Sequence, residues 1–213
     1  MREAPRLLGA ADEYKLLGPE DTEDSMFYRS LAMEFSRVQI SVDTFFFSAS
    51  YTDVASVGAI SRFTAGQVFY YPAFTAALDG HRLHGDVVHD LTRNTGFEAV
   101  MRVRTSRGLR VKNFYGAFFI RGQDLLAMPN ATVNTAFNLE LEYTAEHLKP
   151  GSIVTIQAAL LYTNPESERR ICVHTLAVPV ATTPQDVFAR SSIDSISNML
   201  AKRALDVALR EGL

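Results

Sequence analysis

Cysteine is almost absent from this sequence: there is one, Cys172, and therefore no C-x-x-C pair. A lone cysteine cannot close an internal disulfide, and no paired thiols are present to hold zinc, so we expect a reducing compartment such as the cytosol. Long apolar runs are also missing, and the first residues lack the apolar stretch of a signal peptide. The sequence predicts a chain that does not cross a membrane.

Motifs of the common enzyme classes are missing as well. There is no GxxxxGK[ST] phosphate loop, GxSxG elbow, HExxH helix or GxGxxG after a strand. His81, His84 and His89 lie near Asp86 and Asp90, but on a helix such residues more often form a solvated face than a metal site. We therefore expect no enzymatic activity, no metal and no cofactor.

Positive charge is not in excess overall, but it is concentrated in one place. The formal net charge is -3 and the sequence pI is about 6.0, which argues against bulk nucleic-acid binding. Residues 101–121 nevertheless contain six basic side chains and no acid. These are Arg102, Arg104, Arg107, Arg110, Lys112 and Arg121. Any anion site must therefore be local.

Hydrophobic patterning divides the 213 residues into three parts. Residues 1–95 begin with a loop-like segment and then alternate helices with short apolar strands, as in a helix-covered parallel sheet. Residues 96–181 are typical of antiparallel strands joined by turns, in a barrel or sandwich. In 182–213, Thr183 can cap and Pro184 can open a helix, and a helical stripe follows. The fold class is α+β multidomain, ending in the start of an all-α domain.

Two strands of the middle part carry the candidate binding residues. In "VMRVR", alternation puts Arg102 and Arg104 on one face and Met101 and Val103 on the other. The two arginine side chains leave the backbone at points roughly 6 to 7 Å apart. Acidic residues two positions apart in an extended peptide have the same spacing. Each planar fork can bind a carboxylate bidentately, so the pair is a candidate reader of acidic motifs.

Leu161 is the second feature, because it is a large apolar residue on the otherwise polar face of "VTIQAALLYT". A bland interpretation stays open for both features. A neighbouring helix can cover Leu161, and exposed strand arginines often protect a sheet edge or pair with nearby acids.

RNA binding is the alternative function, using Arg102, Arg104 and Tyr115. "KNFYGAFFIR" loosely resembles the aromatic strand of an RNA-recognition module, in which rings stack on bases. The glycine expected after the first basic residue is replaced by Asn113, and no βαββαβ order surrounds the segment.

Several long segments together resemble one known family, the cargo-adaptor subunit of the COPII inner coat. They are "VDTFFFSASYTDVASVGAISRFTAGQVFYYPAF", "GFEAVMRVRTSRGLRVKNFYGAFFIRGQDLLAMPN", "IQAALLYT" and "ERRICVHTLAVPV", in that order. The resemblance implies the C-terminal part of a von Willebrand A-like trunk, a β-barrel and the start of a helical domain. The family's zinc finger and gelsolin-like domain have no counterpart in these residues, so we expect a central fragment.

The resemblance also implies a function. Such adaptors bind acidic signals of the D-x-E and L-x-x-L-E types in the cytosolic tails of cargo proteins and SNAREs, for export from the endoplasmic reticulum to the Golgi. By position, the family's signal-binding residues correspond to Arg102, Arg104 and Leu161. The implied partner is the GTPase-activating subunit of the inner coat, and no nucleic acid is implied. The implied location is the cytosolic face of endoplasmic reticulum exit sites, in peripheral contact with the membrane.

Overall fold

The computed structural model describes residues 9–10, 13, 23–121 and 124–211, so most of the expected opening loop lies outside the described residues. The helices are α1 (Glu23–Arg37), α2 (Val54–Val57), α3 (Ala59–Phe63), α4 (Ala76–Thr92), α5 (Pro184–Arg190) and α6 (Ile193–Glu211). The strands are β1 (Thr44–Phe46), β2 (Val68–Tyr70), β3 (Thr95–Thr105), β4 (Leu109–Tyr115), β5 (Phe119–Arg121), β6 (Leu125–Thr132), β7 (Asn138–Tyr143), β8 (Ile153–Thr163) and β9 (Arg169–Pro179). Mixed α and β content with antiparallel sheets confirms the predicted fold class.

The first part of the chain contains the predicted parallel pair. β1 and β2 run parallel, with α2 and α3 between them in sequence, and the rings of Phe45 and Phe69 stack with centroids 4.5 Å apart. The helix-covered sheet expected from the sequence implies strands that are buried on both faces, but the residues of β1 are only half-buried. Among the described residues this sheet has two strands, so the side chains of β1 have a neighbouring strand on one side only.

A buried ionic cluster fixes the junction between α4 and β3. Arg93 follows α4 directly, and its side chain is 4% exposed. Its Nη2 lies 2.5 Å from Asp90 Oδ1 and 3.8 Å from Asp43 Oδ2. Burial raises the pKa of Asp43 above its ordinary value, opposed by the hydrogen bond from the Gln67 amide. Because Asp43 precedes β1, the cluster ties the parallel pair to the start of β3.

Two antiparallel sheets form the middle part of the chain. One has the strand order β5-β6-β3-β8-β9, and the other pairs β4 with β7. The buried core consists of Ala99, Met101, Val103, Phe118, Leu126 and Met128. Side chains of the β4 and β7 sheet, including Val111, Phe114 and Leu139, pack against it. The two sheets therefore share one core, with β3 near the centre of the larger sheet.

A bulge in β4 gathers three side chains onto one carboxylate. Val111 pairs with Leu141 and Asn113 with Glu140, which leaves Lys112 as an extra residue. Asn113, Lys112 and Tyr115 all donate hydrogen bonds to Glu140, at 2.8, 3.1 and 3.2 Å. These bonds lower the pKa of Glu140 to about 2, with the amide of Asn113 as the largest cause.

The last helices start as the sequence predicts. The Thr183 hydroxyl accepts a hydrogen bond from the Asp186 amide at the start of α5. α6 reaches back to the sheets, because Arg203 Nη1 lies 3.6 Å from Glu140 Oε1. Across the described ranges, no helix is both long and apolar enough to span a membrane.

Two glycine substitutions test the packing of the first part. A Cβ at Gly66 would overlap the main-chain carbonyl oxygen of Val42, which cannot move independently, whereas one at Gly85 on α4 meets nothing within 4 Å. We expect Gly66→Ala to lower the free energy of unfolding by about 1–3 kcal/mol. The control, Gly85→Ala, should raise it by up to about 1 kcal/mol. Urea unfolding measures both, and equal stability of the two variants would contradict this packing.

Glu140→Gln tests the hydrogen bonds from β4 to Glu140 on β7, through the pH dependence of protein stability. The folded-state pKa of about 2 lies below the ordinary 4.5, so the unfolded chain binds more protons in this window. The stabilisation from the carboxylate is therefore present above pH 4.5 and is lost as the pH falls towards 2. We expect Glu140→Gln to lower the melting temperature at pH 7 and to approach the wild type near pH 2 to 3. A difference in melting temperature between wild type and variant that stays constant with pH would contradict the lowered pKa of Glu140.

Candidate functional site

The three residues singled out in the sequence lie on one face of the five-stranded sheet, which we call the arginine face. Val100 pairs with Leu161, Arg102 with Ala159, and Arg104 with Gln157. Directly paired residues of antiparallel strands point to the same side, and diagonal neighbours lie about 7–8 Å apart. Leu161 is thus one diagonal step from Arg102. The buried Met101 and Val103 occupy the opposite face, as the alternation predicts.

The apolar part of this face extends onto β9. Leu161 pairs with Ile171, and Ala159 pairs with Val173. Leu161 is 36% exposed, whereas Ile171 and Val173 are 66% and 52% exposed. Sequence reasoning missed both β9 residues, because alternation gives the two faces of a strand but not the register that places it beside another. The arginine face therefore offers a strip of aliphatic side chains next to its two cations.

Most of the basic side chains between 101 and 121 already have partners. Arg102 contacts Asp124, Arg110 pairs with Glu142, Lys112 pairs with Glu140, and Arg121 donates to the Ser36 carbonyl. Within the described part of the chain, Arg104 and Arg107 make no ion pair, and both are exposed. The interpretation of strand arginines as partners of nearby acids thus holds for some of this run. Arg104 is the cation that the arginine face leaves available.

The contact between Arg102 and Asp124 lies within the arginine face. The Arg102 Nη2 donates a hydrogen bond of 3.1 Å to Oδ1, and Nε lies 2.9 Å from Oδ2. Asp124 directly precedes β6, whose first residue, Leu125, pairs with Arg102. Sequence reasoning missed Asp124 because it falls three positions beyond the basic run, and only the pairing of β3 with β6 brings it close.

The strand proposed for RNA stacking is engaged within the protein. The Tyr115 hydroxyl and the Lys112 amine both face Glu140. Phe114 packs edge-to-face against Phe118, with centroids 6.3 Å apart, at the shared core. A stacking platform needs exposed rings beside free cations, and this strand provides neither.

The histidines and acids of α4 do not converge. Asp86 accepts a hydrogen bond of 2.7 Å from the Tyr71 hydroxyl, and His89 lies 2.9 Å from Asn134. Among the residues that the structure describes, no group of three or more potential ligands could hold a metal ion.

Two cavities lie away from the arginine face. One, of about 460 Å³, is lined by Leu160, Tyr162, Cys172 and His174 among others, which belong to the opposite face of β8 and β9. The other, of about 390 Å³, lies between β4, α3 and α6. Neither is lined by Arg102, Arg104 or Leu161, so the candidate site is part of the open surface rather than of these cavities.

Comparisons with known proteins agree with this architecture. The Sec23/Sec24 trunk domain matches residues 1–91, and the Sec23/Sec24 beta-sandwich domain matches residues 96–181. The crystal structure of the human COPII-coat protein Sec24c superposes with a TM-score of 0.89 at 31% identity, over 98% of this chain and 27% of that one.

Curated relatives match along at least nine-tenths of the chain. The protein transport protein SEC24 of Dictyostelium discoideum is 39% identical over 100% of this chain and 21% of its own length. Sec24A of Homo sapiens is 40% identical over 90% of this chain and 18% of its own length, and SEC24 A of Arabidopsis thaliana is 38% identical over 96% and 19%. This chain spans about a fifth of the length of these relatives. With both domain matches, these identities and the superposition in agreement, the chain belongs to the Sec24 family of protein transport proteins.

Proposed function

We propose that this chain is the signal-binding part of a COPII coat adaptor. Its arginine face would bind acidic sorting signals in the cytosolic tails of cargo membrane proteins and so select them for export from the endoplasmic reticulum to the Golgi. The observation that carries this proposal is that Arg102, Arg104 and Leu161 share one face of one sheet. The relatives' names, protein transport proteins, agree with such a role.

The geometry suits signals of the D-x-E and L-x-x-L-E types. Alternate residues of an extended peptide lie roughly 6 to 7 Å apart, the same spacing as the two arginines on β3. Each guanidinium fork can donate two hydrogen bonds to one carboxylate. The aliphatic strip of Leu161, Ile171 and Val173 lies on the β8 and β9 side of the arginines, where it can take up the leucine of a signal.

The exposure of the site indicates modest affinity. The Arg102 side chain is 43% exposed, so a bound carboxylate stays partly solvated and its attraction is screened by salt. Many adaptors arrayed on one membrane would raise the effective affinity by multivalency. This is binding without chemistry, and it requires no metal or cofactor.

The proposed setting follows from the same family. The partners would be the GTPase-activating subunit of the inner coat and the tails of cargo proteins, including SNAREs. The place of action would be the cytosolic face of endoplasmic reticulum exit sites. RNA binding is not proposed, since no observation on the arginine face or on β4 favours it.

Removing the two arginines tests the proposal. We expect a fluorescent L-x-x-L-E peptide to bind the wild type, and the Arg102→Ala, Arg104→Ala double variant to bind at least about tenfold more weakly, because charge-assisted hydrogen bonds are lost. Replacing the peptide's glutamate by glutamine should weaken binding to the wild type similarly. Fluorescence anisotropy measures all these affinities.

The matched control is Arg107→Ala, Arg110→Ala, which removes the same charge from the turn and from β4. It should retain binding within about twofold. Circular dichroism checks that both double variants are folded. If the folded wild type does not prefer the glutamate peptide over the glutamine peptide, the proposal is wrong.

Leu161→Ala tests the apolar half of the site. Leu161 is only partly exposed, so its truncation should weaken peptide binding by about fivefold, the equivalent of roughly 1 kcal/mol of lost apolar contact. Ile153→Ala is the control, because Ile153 lies on the same face of β8 eight residues away, roughly 27 Å along the strand. Equal losses in the two variants, in the same titration, would show that the leucine of the signal does not lie on Leu161.

A further inference from the structure

One of the two arginines of the arginine face already binds a carboxylate of its own chain. The Asp124 carboxylate contacts the Arg102 guanidinium, and the two side chains are 42% and 43% exposed. The contact uses the Nε and Nη2 side of the guanidinium, so an acidic peptide that binds this side of Arg102 must compete with Asp124. Because both groups are partly solvated, the competing pair is of the exposed, weak kind that a ligand can replace.

The contact is also incomplete. Arg102 Nη2 donates an aligned hydrogen bond to Asp124, but Nε, which is buried, has no aligned acceptor although Oδ2 lies 2.9 Å away. A bidentate arginine–carboxylate pair would satisfy both donors. An incoming carboxylate with better geometry can therefore accept a hydrogen bond from Arg102 Nε that Asp124 does not accept.

The position of Asp124 decides where Arg102 is held. Asp124 precedes β6, which lies on one side of β3, whereas Leu161 is on β8, on the other side. The ion pair thus draws the guanidinium towards β6 and away from the aliphatic strip. Arg104, which has no ion pair within the described residues, is not restrained in this way.

From these contacts we propose that Asp124 is an internal ligand of Arg102 that competes with acidic peptides and so lowers their affinity for the arginine face. The inference rests on the proposed function. In the unliganded chain Asp124 occupies Arg102, and an acidic signal binds Arg104 first. A second carboxylate on the same peptide then has a high effective concentration near Arg102 and displaces Asp124. A peptide with one carboxylate lacks this advantage and depends on Arg104 alone.

Asp124→Asn tests this exchange. The substitution removes the competing charge at a half-exposed position and keeps the size of the side chain, so the fold should be retained. We expect a D-x-E peptide with two carboxylates to bind the variant about two- to fivefold more tightly than the wild type, the range that an exposed ion pair allows. A peptide with the aspartate replaced by asparagine should gain less. Anisotropy titrations measure both.

Two controls separate occupancy from a general charge effect. Glu142→Gln removes a carboxylate from another arginine pair, on the β4 and β7 sheet, and should leave affinity unchanged. In an Arg102→Ala background, Asp124→Asn should have a smaller effect than in the wild type, because its benefit passes through Arg102. An equal effect in both backgrounds would mean simple repulsion of the peptide and would overturn the proposal.

The remaining outcomes are also decisive. If the wild type binds the acidic peptide and Asp124→Asn leaves its affinity unchanged or weakens it, Asp124 is not a competitor, while the proposed function stands. If only Asp124→Asn binds, the internal ligand blocks the face more completely than expected, and the inference is supported. If neither folded protein binds, the inference and the proposed function both fail.

Discussion

The alternation of side chains along β3 is the constraint on which the rest of the middle part depends. Met101 and Val103 are buried between the two sheets, and a strand that places them inward must place Arg102 and Arg104 outward. The arginines are thus positioned by a packed core rather than by a loop. Leu161 reaches the same face because β8 pairs beside β3 in fixed register.

Electrostatics then divides the basic run into structural and available charges. Lys112 and Arg110 hold β4 against β7 through acids on the facing strand. Arg102 is held by Asp124, which directly precedes β6, and Arg104 is left without an ion pair among the described residues. A chain with net negative charge can therefore present a local anion site. The nearby acids pair with other basic side chains of the run and leave Arg104 available.

Period-two patterning in the sequence was enough to predict the two faces of β3 and β8, and capping chemistry was enough to place the start of α5 at Thr183. Sequence patterning could not give the register in which the strands pair. Asp124 and Ile171 become part of the arginine face only through pairing between strands, and the bulge at Lys112 cannot be read from alternation. The half-buried state of β1 depends on how many strands surround it, which a local pattern does not give.

The central claim is that acidic signals bind the outward face of β3. The most direct measurement is a crystal structure of this chain with a bound L-x-x-L-E peptide. The account predicts the glutamate carboxylate within hydrogen-bonding distance of Arg104. It also predicts that the first leucine of the signal, which lies four residues before the glutamate and on the same side of an extended peptide, packs against Leu161. A peptide bound on another surface, with the arginine face unoccupied, would contradict it.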